Sequence, residues 1–136
     1  MAGGWGVDAL VGSETRPHRD LDLAVDAEDL DACMATLADL GYTVETDRLP
    51  LRVEVAATGE RWVDVHPVRF DTQGQGIQGD PAGTHFQYPA TAFAVGLLDG
   101  RRVRCLSADQ QSVFHSGYDL RPQDQHDLRL LAAIRA

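Results

Sequence analysis

Three aspartates have the residue type and the spacing that metal-dependent chemistry requires. Asp20 and Asp22 are two residues apart in a stretch that reads as a strand, so both carboxylates lie on one face. Two like charges held this close are unfavourable unless a cation neutralises them or one carboxyl takes a proton. Hard oxygen ligands of this kind suit Mg²⁺, so a magnesium ion is the simplest remedy, but the pair taken alone favours a structural role. The same Asp-x-Asp pattern also has a structural interpretation, which explains its second occurrence at Asp29 and Asp31 as helix capping.

Asp64 is the third of these carboxylates. It lies between Trp62 and His66, where it alternates with two valines that are expected to point inward. If this strand neighbours the strand of Asp20 and Asp22, Asp64 comes to lie beside the pair. Three carboxylates facing a glycine-rich turn are equipment for two-metal phosphoryl or nucleotidyl transfer. An ordinary residue on the polar face of a strand is the alternative interpretation.

Glycines and basic residues near the start of the chain could bind phosphate. Gly3 and Gly4 would let backbone N–H groups approach phosphate oxygens, and a helix that follows them adds a favourable dipole. Arg16, His18 and Arg19 form the densest basic cluster near the aspartate pair and could hold a triphosphate. An ordinary turn at the glycines and a solvated loop at the basic residues are the alternatives.

The elements that must position these residues alternate between strands and helices. Strands are predicted over 21–25, 42–46, 51–56, 61–67 and 102–106, and helices over 7–11, 30–40, 107–116 and 122–134. Asp26 and Ser107 are the predicted N-caps, and Gly41 is the predicted terminator of the second helix. A hairpin turn is expected at 58–60, and the Gly-, Gln- and Pro-rich segment over 71–83 predicts a surface loop. The pattern favours an α/β sheet with helices packed on it.

Composition narrows the classes of protein and of partner. A chain of 136 residues with 43% apolar and 24% charged residues is typical of one soluble domain. No apolar run is long enough to span a bilayer, and Cys33 and Cys105 form no metal or disulfide motif, which predicts a cytoplasmic protein. The net charge of −9 disfavours nucleic acid as a partner and suits a small cationic substrate or a metal ion.

Five motifs follow one another along almost the whole chain. They are Gly3–Leu10, the pattern TR-x-H-x-D-x-D over 15–22, D-x-H-P over 64–67, V-x-C-L-S over 103–107 and FHSGYDL over 114–120. In this order they resemble the small antibiotic nucleotidyltransferases, closest to the short lincosamide enzymes and related to one branch of the aminoglycoside enzymes. The ordered set is far more specific than any one motif.

The resemblance implies a polymerase-β-like nucleotidyltransferase fold of the α/β (α+β) class, a mixed sheet with flanking helices in one domain over 1–136. It also implies transfer of a nucleoside monophosphate from a nucleoside triphosphate, with ATP as the expected donor, to a hydroxyl of a small acceptor. A lincosamide-type antibiotic is the expected acceptor, so the implied role is antibiotic resistance. Asp20 and Asp22 are the implied Mg²⁺ ligands, and Asp64 is the implied third ligand, general base, or both.

Further residues take roles from the resemblance alone. Gly3, Gly4, Arg16 and His18 fall where the family contacts the nucleotide. His115 and Tyr118 are the implied contributors to the acceptor site, although a buried, hydrogen-bonded histidine is the alternative for His115. Family members usually carry an N-terminal helix and a strand before the glycine pair, and this chain is expected to lack the helix and most of that strand.

Other functions stay open at this point. One is a non-catalytic nucleotide- or metal-binding module, and another is a nucleotidyltransferase that modifies a different small molecule or a protein. A zinc site that uses His66, His85 or His115 with Asp64 is a third, although these residues lack compact ligand spacing. No membrane or nucleic-acid partner is expected, and a homodimer is left open.

Overall fold

The computed structural model describes residues 1–116 and 118–135, so Gly117 of the last motif and Ala136 at the end of the predicted domain lie outside the described residues. The chain forms two compact units. Unit 1 comprises Met1–His18 and Thr91–Ala136, and unit 2 comprises Arg19–Ala90. The single domain over 1–136 stays a prediction.

Unit 2 is built on a mixed sheet of six strands. The strands are β1 (Asp20–Asp26), β2 (Thr43–Arg48), β3 (Arg52–Ala57), β4 (Arg61–Phe70), β5 (Gly76–Gly79) and β6 (His85–Tyr88). Strands β2 to β6 pair antiparallel in chain order, and β1 pairs parallel to β4. The predicted mixture of strand directions is therefore present in this unit.

Helix α2 (Leu30–Asp39) covers the apolar face of this sheet. Its Leu37 packs with Val53 and Val55 of β3 and with Val63 and Val65 of β4. Alternation along β4 sends Val63 and Val65 into the core and Asp64, which lies between them, to the opposite face. The apolar face thus anchors the strand whose other face carries Asp64.

Both predicted ends of the second helical segment are present. The Asp26 side chain accepts a hydrogen bond from the Glu28 backbone N–H, at the start of a 3₁₀ turn (Ala27–Asp29) that leads into α2. Gly41 follows the helix with a φ of +93°, a left-handed conformation that glycine adopts without a Cβ penalty. The turn over 58–60 between β3 and β4 is confirmed as well.

The described residues of unit 1 form three helices and a two-stranded hairpin. The elements are α1 (Gly3–Val11), β7 (Phe93–Leu98), β8 (Arg101–Leu106), α3 (Ala108–Phe114) and α4 (Pro122–Arg135). The Ser107 hydroxyl caps α3 by accepting from the Gln110 backbone N–H, as predicted. Gly96 of β7 lies against the Ala9 backbone of α1, where a Cβ would collide with the Ala9 carbonyl, so glycine permits this close packing.

Three expectations about local structure were wrong. Gly3 and Gly4 belong to the first turn of α1 and do not form a separate turn before it. The segment over 71–83, whose glycine content indicated a surface loop, contains strand β5. Its Gly76 packs closely against Val68 and Phe70 of β4, where a Cβ would collide with both side chains. Strands β6 and β7 were not predicted, and α3 ends at Phe114, two residues early.

Within the described ranges, the structure contains no helix that is long and apolar enough to cross a membrane.

Candidate functional site

The parallel pairing of β1 and β4 places two of the predicted carboxylates opposite each other. Asp22 is the register partner of Asp64, so both side chains extend from the same face of neighbouring strands. His66 follows Asp64 by two residues and shares this face. One potential ligand atom from each of Asp22, Asp64 and His66 lies within 4.8 Å of the other two. Of the Asp-x-Asp pair that was predicted to lie beside Asp64, Asp22 is therefore placed there.

The two oxygens of Asp64 have different environments. Oδ2 accepts a hydrogen bond from Arg52 Nη1 at 3.0 Å and lies 3.7 Å from His66 Nε2. Oδ1 is buried and has no hydrogen-bond partner among the residues that the structure describes. A buried carboxylate oxygen without a partner is costly, because desolvation is not compensated. A cation at this oxygen would provide the missing interaction.

Asp20 lies on the same face of β1 as Asp22 but outside the group of three potential ligands. Its register partner is Trp62, and its Oδ2 is 3.4 Å from Arg19 Nη1. The Arg19 guanidinium also stacks on the Trp62 ring, with its carbon 4.4 Å from the ring centroid. The structure therefore brings Asp22 and Asp64 together with His66, and it places Asp20 beside Arg19.

A buried polar chain continues behind His66. Its Nδ1 is 2.8 Å from Gln78 Nε2, which also donates to the Leu51 carbonyl oxygen at 2.9 Å. The Tyr88 hydroxyl donates to Gln78 Oε1 at 2.6 Å. Burial, with a smaller contribution from the charge of Asp22, raises the pKa of Tyr88 far above its ordinary value. Tyr88 therefore keeps the hydroxyl proton that it donates.

Three of the four residues predicted to contact the nucleotide are neighbours within unit 1. A Cβ on Gly4 would collide with the Arg16 guanidinium and with the His18 ring, so both side chains approach the glycine backbone closely. The fourth, Gly3, has a φ of +58° at the start of α1. The Gly3 carbonyl accepts from Gln111 Nε2 at 3.5 Å.

Asp8 of α1 holds the loop that carries Arg16 and His18. Its fully buried carboxylate pairs with His18 Nε2 at 2.5 Å, and it accepts from the backbone N–H and the hydroxyl of Thr15. The His18 ring also packs on Trp5, with ring centroids 4.4 Å apart. Asp8 was not singled out from the sequence, where it resembles any helical aspartate.

Asp127 is a second buried carboxylate in unit 1. Arg16 donates to both of its oxygens, from Nε at 3.1 Å and from Nη2 at 2.9 Å. His115 Nε2 lies 3.3 Å from Oδ2, while His115 Nδ1 donates to the Gln111 carbonyl at 2.7 Å. Burial alone would raise the pKa of Asp127, but the hydrogen bonds from His115 and Arg16 lower it to about 2.

His115 therefore has the surroundings of a buried, hydrogen-bonded histidine. Burial alone would lower its pKa, but the bonds to Asp127 and to the Gln111 carbonyl outweigh burial and raise it. Tyr118 is half-exposed, and its hydroxyl donates to Asp124 Oδ1 at 3.2 Å. Contact of His115 and Tyr118 with an acceptor stays a prediction.

The remaining histidine of the zinc hypothesis is placed apart from the carboxylate group. His85 is exposed on β6 and bonds the Gly83 carbonyl through Nδ1. Of the three histidines in that hypothesis, only His66 belongs to the group of potential ligands found in the described part of the chain.

The sequence matches a known family over almost its full length. The pattern of the aminoglycoside-2''-adenylyltransferase family matches residues 1–131. The chain is 35% identical over 134 residues to a lincosamide resistance protein of Staphylococcus haemolyticus, covering 98% of this chain and 83% of that protein. It is 32% identical over 107 residues to a 2''-aminoglycoside nucleotidyltransferase of Klebsiella pneumoniae, covering 79% of this chain and 56% of that protein. The chain thus spans about half the length of the aminoglycoside relative.

Solved structures agree with the sequence match. A crystal structure of the lincosamide antibiotic adenylyltransferase LnuA with lincomycin bound superposes with a TM-score of 0.87 at 34% identity, covering 98% of this chain and 84% of that chain. A solution structure of the antibiotic-resistance factor ANT(2'')-Ia superposes with a TM-score of 0.79 at 22% identity, covering 99% of this chain and 73% of that chain. At this identity the similarity supports the fold alone. The predicted nucleotidyltransferase fold and the predicted family are confirmed. This chain belongs to the aminoglycoside-2''-adenylyltransferase family.

Proposed function

We propose that this protein is a magnesium-dependent enzyme that transfers the adenylyl group of ATP to a hydroxyl of a lincosamide-type antibiotic. The observation that carries the proposal is the Asp22–Asp64 pair in a chain of this family, in which the buried Oδ1 of Asp64 has no hydrogen-bond partner among the described residues. The choice of acceptor is supported by the similarity to a lincosamide resistance protein and to a lincomycin-bound adenylyltransferase.

The residues present fit a magnesium ion. Asp22 and Asp64 offer hard oxygen ligands on two rigid strands, and Asp20 adds a third carboxylate on the same face of β1. Asp64 Oδ1 needs an interaction that the described protein atoms do not supply. When bound, Mg²⁺ would supply positive charge that stabilises the charge on the transferring phosphoryl group.

Asp64 is also the proton acceptor in this proposal. Arg52 engages Oδ2, so Oδ1 is the oxygen available to bind the metal or to take the proton of the acceptor hydroxyl. The deprotonated hydroxyl oxygen attacks the α-phosphorus of ATP. The bond from this phosphorus to the bridging oxygen breaks, and pyrophosphate leaves. Asp22 and Asp20 orient the reactants and do not exchange protons in this scheme.

In unit 1 we assign Gly3, Gly4, Arg16 and His18 to the nucleotide. The contact of Gly4 with both side chains supports a built arrangement, because the neighbouring Asp8 and Asp127 hold His18 and Arg16 in place. His115 and Tyr118 are assigned to the acceptor. A cationic antibiotic suits the net charge of −9.

The acceptor in this proposal is a small molecule, and no nucleic acid takes part. We place the reaction in the cytoplasm, where ATP is available and where thiols such as the free Cys33 and Cys105 persist. Sedimentation of the purified protein would test the homodimer that the sequence leaves open.

The test is incubation with Mg²⁺ and ATP across a panel of lincosamides and aminoglycosides, followed by mass spectrometry of each drug. We expect lincosamides to gain the mass of one adenylyl group. No nucleotidylated product across the panel would overturn the antibiotic acceptor. Nucleotide binding without pyrophosphate release would favour the non-catalytic module, and nucleotidylated proteins in a lysate would favour a protein acceptor.

A further inference from the structure

The orientation of the Gln78 amide is determined by its buried partners. The Leu51 carbonyl oxygen can only accept a hydrogen bond, so the group 2.9 Å from it must be the amide nitrogen. The amide oxygen then faces the Tyr88 hydroxyl, which donates to it at 2.6 Å. The opposite orientation would bring two oxygens together at Leu51. Gln78 and Tyr88 are 4% and 2% exposed, so water has little access to replace these hydrogen-bond partners.

This orientation determines which nitrogen of His66 carries the proton. Gln78 Nε2 lies 2.8 Å from His66 Nδ1 and has a second hydrogen to donate, so Nδ1 must accept it. The ring proton of a neutral His66 is then on Nε2. That nitrogen lies 3.2 Å from Asp22 Oδ1. An oxygen of an ionised carboxylate has no hydrogen, so it can accept a hydrogen bond but cannot donate one. The donors therefore run in one direction, from Tyr88 through Gln78 and His66 to Asp22.

We propose that Gln78 is a positioning residue, which directs the Nε2–H of His66 at Asp22 and so keeps this imidazole out of the metal's ligand set. The role in metal binding rests on the proposed function. A nitrogen that carries a proton has no lone pair for a metal, although His66 lies within the group of potential ligands. Without His66, the group of potential ligands keeps only the carboxylates of Asp22 and Asp64, and Asp20 adds another carboxylate. Such an all-oxygen set suits Mg²⁺ better than zinc.

In this arrangement His66 also orients the carboxylate of Asp22. Its Nε2–H holds Oδ1 of Asp22, as outer-sphere partners commonly orient metal-ligating carboxylates. Asp22 is partly exposed on β1, and its register position alone does not determine the rotation of its carboxylate. His66 provides that constraint, and Gln78 determines that His66 acts as the donor.

The first test is a long-range ¹H–¹⁵N spectrum of the metal-free wild-type protein at about pH 8, where an ordinary histidine is neutral. After assignment of the five histidines, the proposal predicts that His66 carries its proton on Nε2 and that Nδ1 is unprotonated. A proton on Nδ1 would overturn it. This measurement needs no substituted protein, so it decides the question even if a variant does not fold.

The second test replaces the donor of Gln78 with an acceptor. In Gln78→Glu a carboxylate faces Nδ1 while Asp22 still faces Nε2. Nδ1 is then expected to carry a proton of its own, so that Zn²⁺ can displace the proton on Nε2 and leave a neutral imidazole as its ligand. Calorimetry with Zn²⁺ and with Mg²⁺ should show the ratio of zinc to magnesium affinity rising about tenfold or more over wild type. The ratio corrects for the added negative charge, which strengthens binding of both ions.

The matched control is Tyr88→Phe. It removes the hydroxyl that bonds Gln78 Oε1 but leaves both donations of Gln78 Nε2 in place. The His66 proton and the affinity ratio should stay as in wild type. An unchanged ratio and an unchanged His66 spectrum in Gln78→Glu would contradict the proposal.

These outcomes are separate from those of the proposed function, because neither readout requires turnover. Adenylyl transfer by a protein whose His66 carries its proton on Nδ1 would overturn the role of Gln78 alone. The expected His66 spectrum in a protein that adenylylates no acceptor would overturn the enzymatic proposal alone.

Discussion

At the scale of single residues, the two oxygens of Asp64 differ in their environments. Arg52 holds Oδ2, and Oδ1 is the buried oxygen available for a metal or a proton. An amide in place of this carboxyl keeps the shape and an acceptor for Arg52, but it removes the charge and the basic oxygen. The consequences of that change are therefore chemical more than structural.

We predict that Asp64→Asn lowers kcat/KM for adenylyl transfer by about 10²- to 10⁴-fold, the usual contribution of a positioned general base. Thermal unfolding should show a folded protein. The matched control is Asp31→Asn, which alters the other Asp-x-Asp pattern at an exposed position in the first turn of α2. Equal losses in both variants would contradict a specific role for Asp64.

Asp127 gives rise to a prediction for the pH dependence of stability. Its pKa is lowered in the folded protein from 3.8 to about 2, so its contribution to stability is present above about pH 4 and is lost as the pH falls toward 2. The shift corresponds to about 2 kcal/mol. Urea unfolding from pH 6 to pH 2 should show the difference between wild type and Asp127→Asn shrinking across this window. A constant difference would show that the ion pairs with Arg16 and His115 do not stabilise the fold.

The carboxylates were predictable from sequence, and their polar partners were not. Alternation along two strands puts Asp22 and Asp64 on faces that parallel pairing then brings together. Arg52, Gln78 and Tyr88 reach the same region through antiparallel pairings of β3 to β6, and no local pattern marks them. The exception is His66, whose spacing of two from Asp64 indicates a shared face.

At the scale of elements, glycine had two opposite effects on prediction. At Gly41 and over 58–60 it correctly marked a helix end and a turn. In α1 and β5 it misled, because Gly4, Gly6 and Gly76 occupy regular structure where a Cβ would meet another side chain. A close contact between two segments leaves no periodic pattern in the sequence. From the sequence alone, glycines at such contacts therefore indicate turns.

Gly4→Ala tests the close approach in the first turn of α1. In a helix without such a contact, this substitution stabilises by about 0.5–1 kcal/mol. Here the new Cβ collides with the Arg16 guanidinium and the His18 ring, so we expect a loss of about 1–3 kcal/mol. We also expect a raised KM for ATP. Chemical denaturation shows whether Gly4→Ala lowers or raises the free energy of unfolding. A stabilised variant would contradict the packing described for these residues.

At the scale of the whole molecule, the charge of −9 would act on the two proposed substrates with opposite sign. A cationic acceptor is attracted and ATP is repelled, and salt screens both effects. We predict that rising ionic strength lowers kcat/KM for a cationic acceptor severalfold and leaves that for ATP unchanged or raised. Parallel decreases for both substrates would show that local contacts, not the overall charge, govern their association.

The measurement that tests the central claim most directly is the stoichiometry of pyrophosphate and adenylylated lincosamide in wild type and Asp22→Asn. The account predicts one pyrophosphate per adenylylated drug in wild type, complete dependence on added Mg²⁺, and a loss of both products in the variant. Adenylylated drug that forms equally well in the presence of a chelator, or in Asp22→Asn, would contradict it.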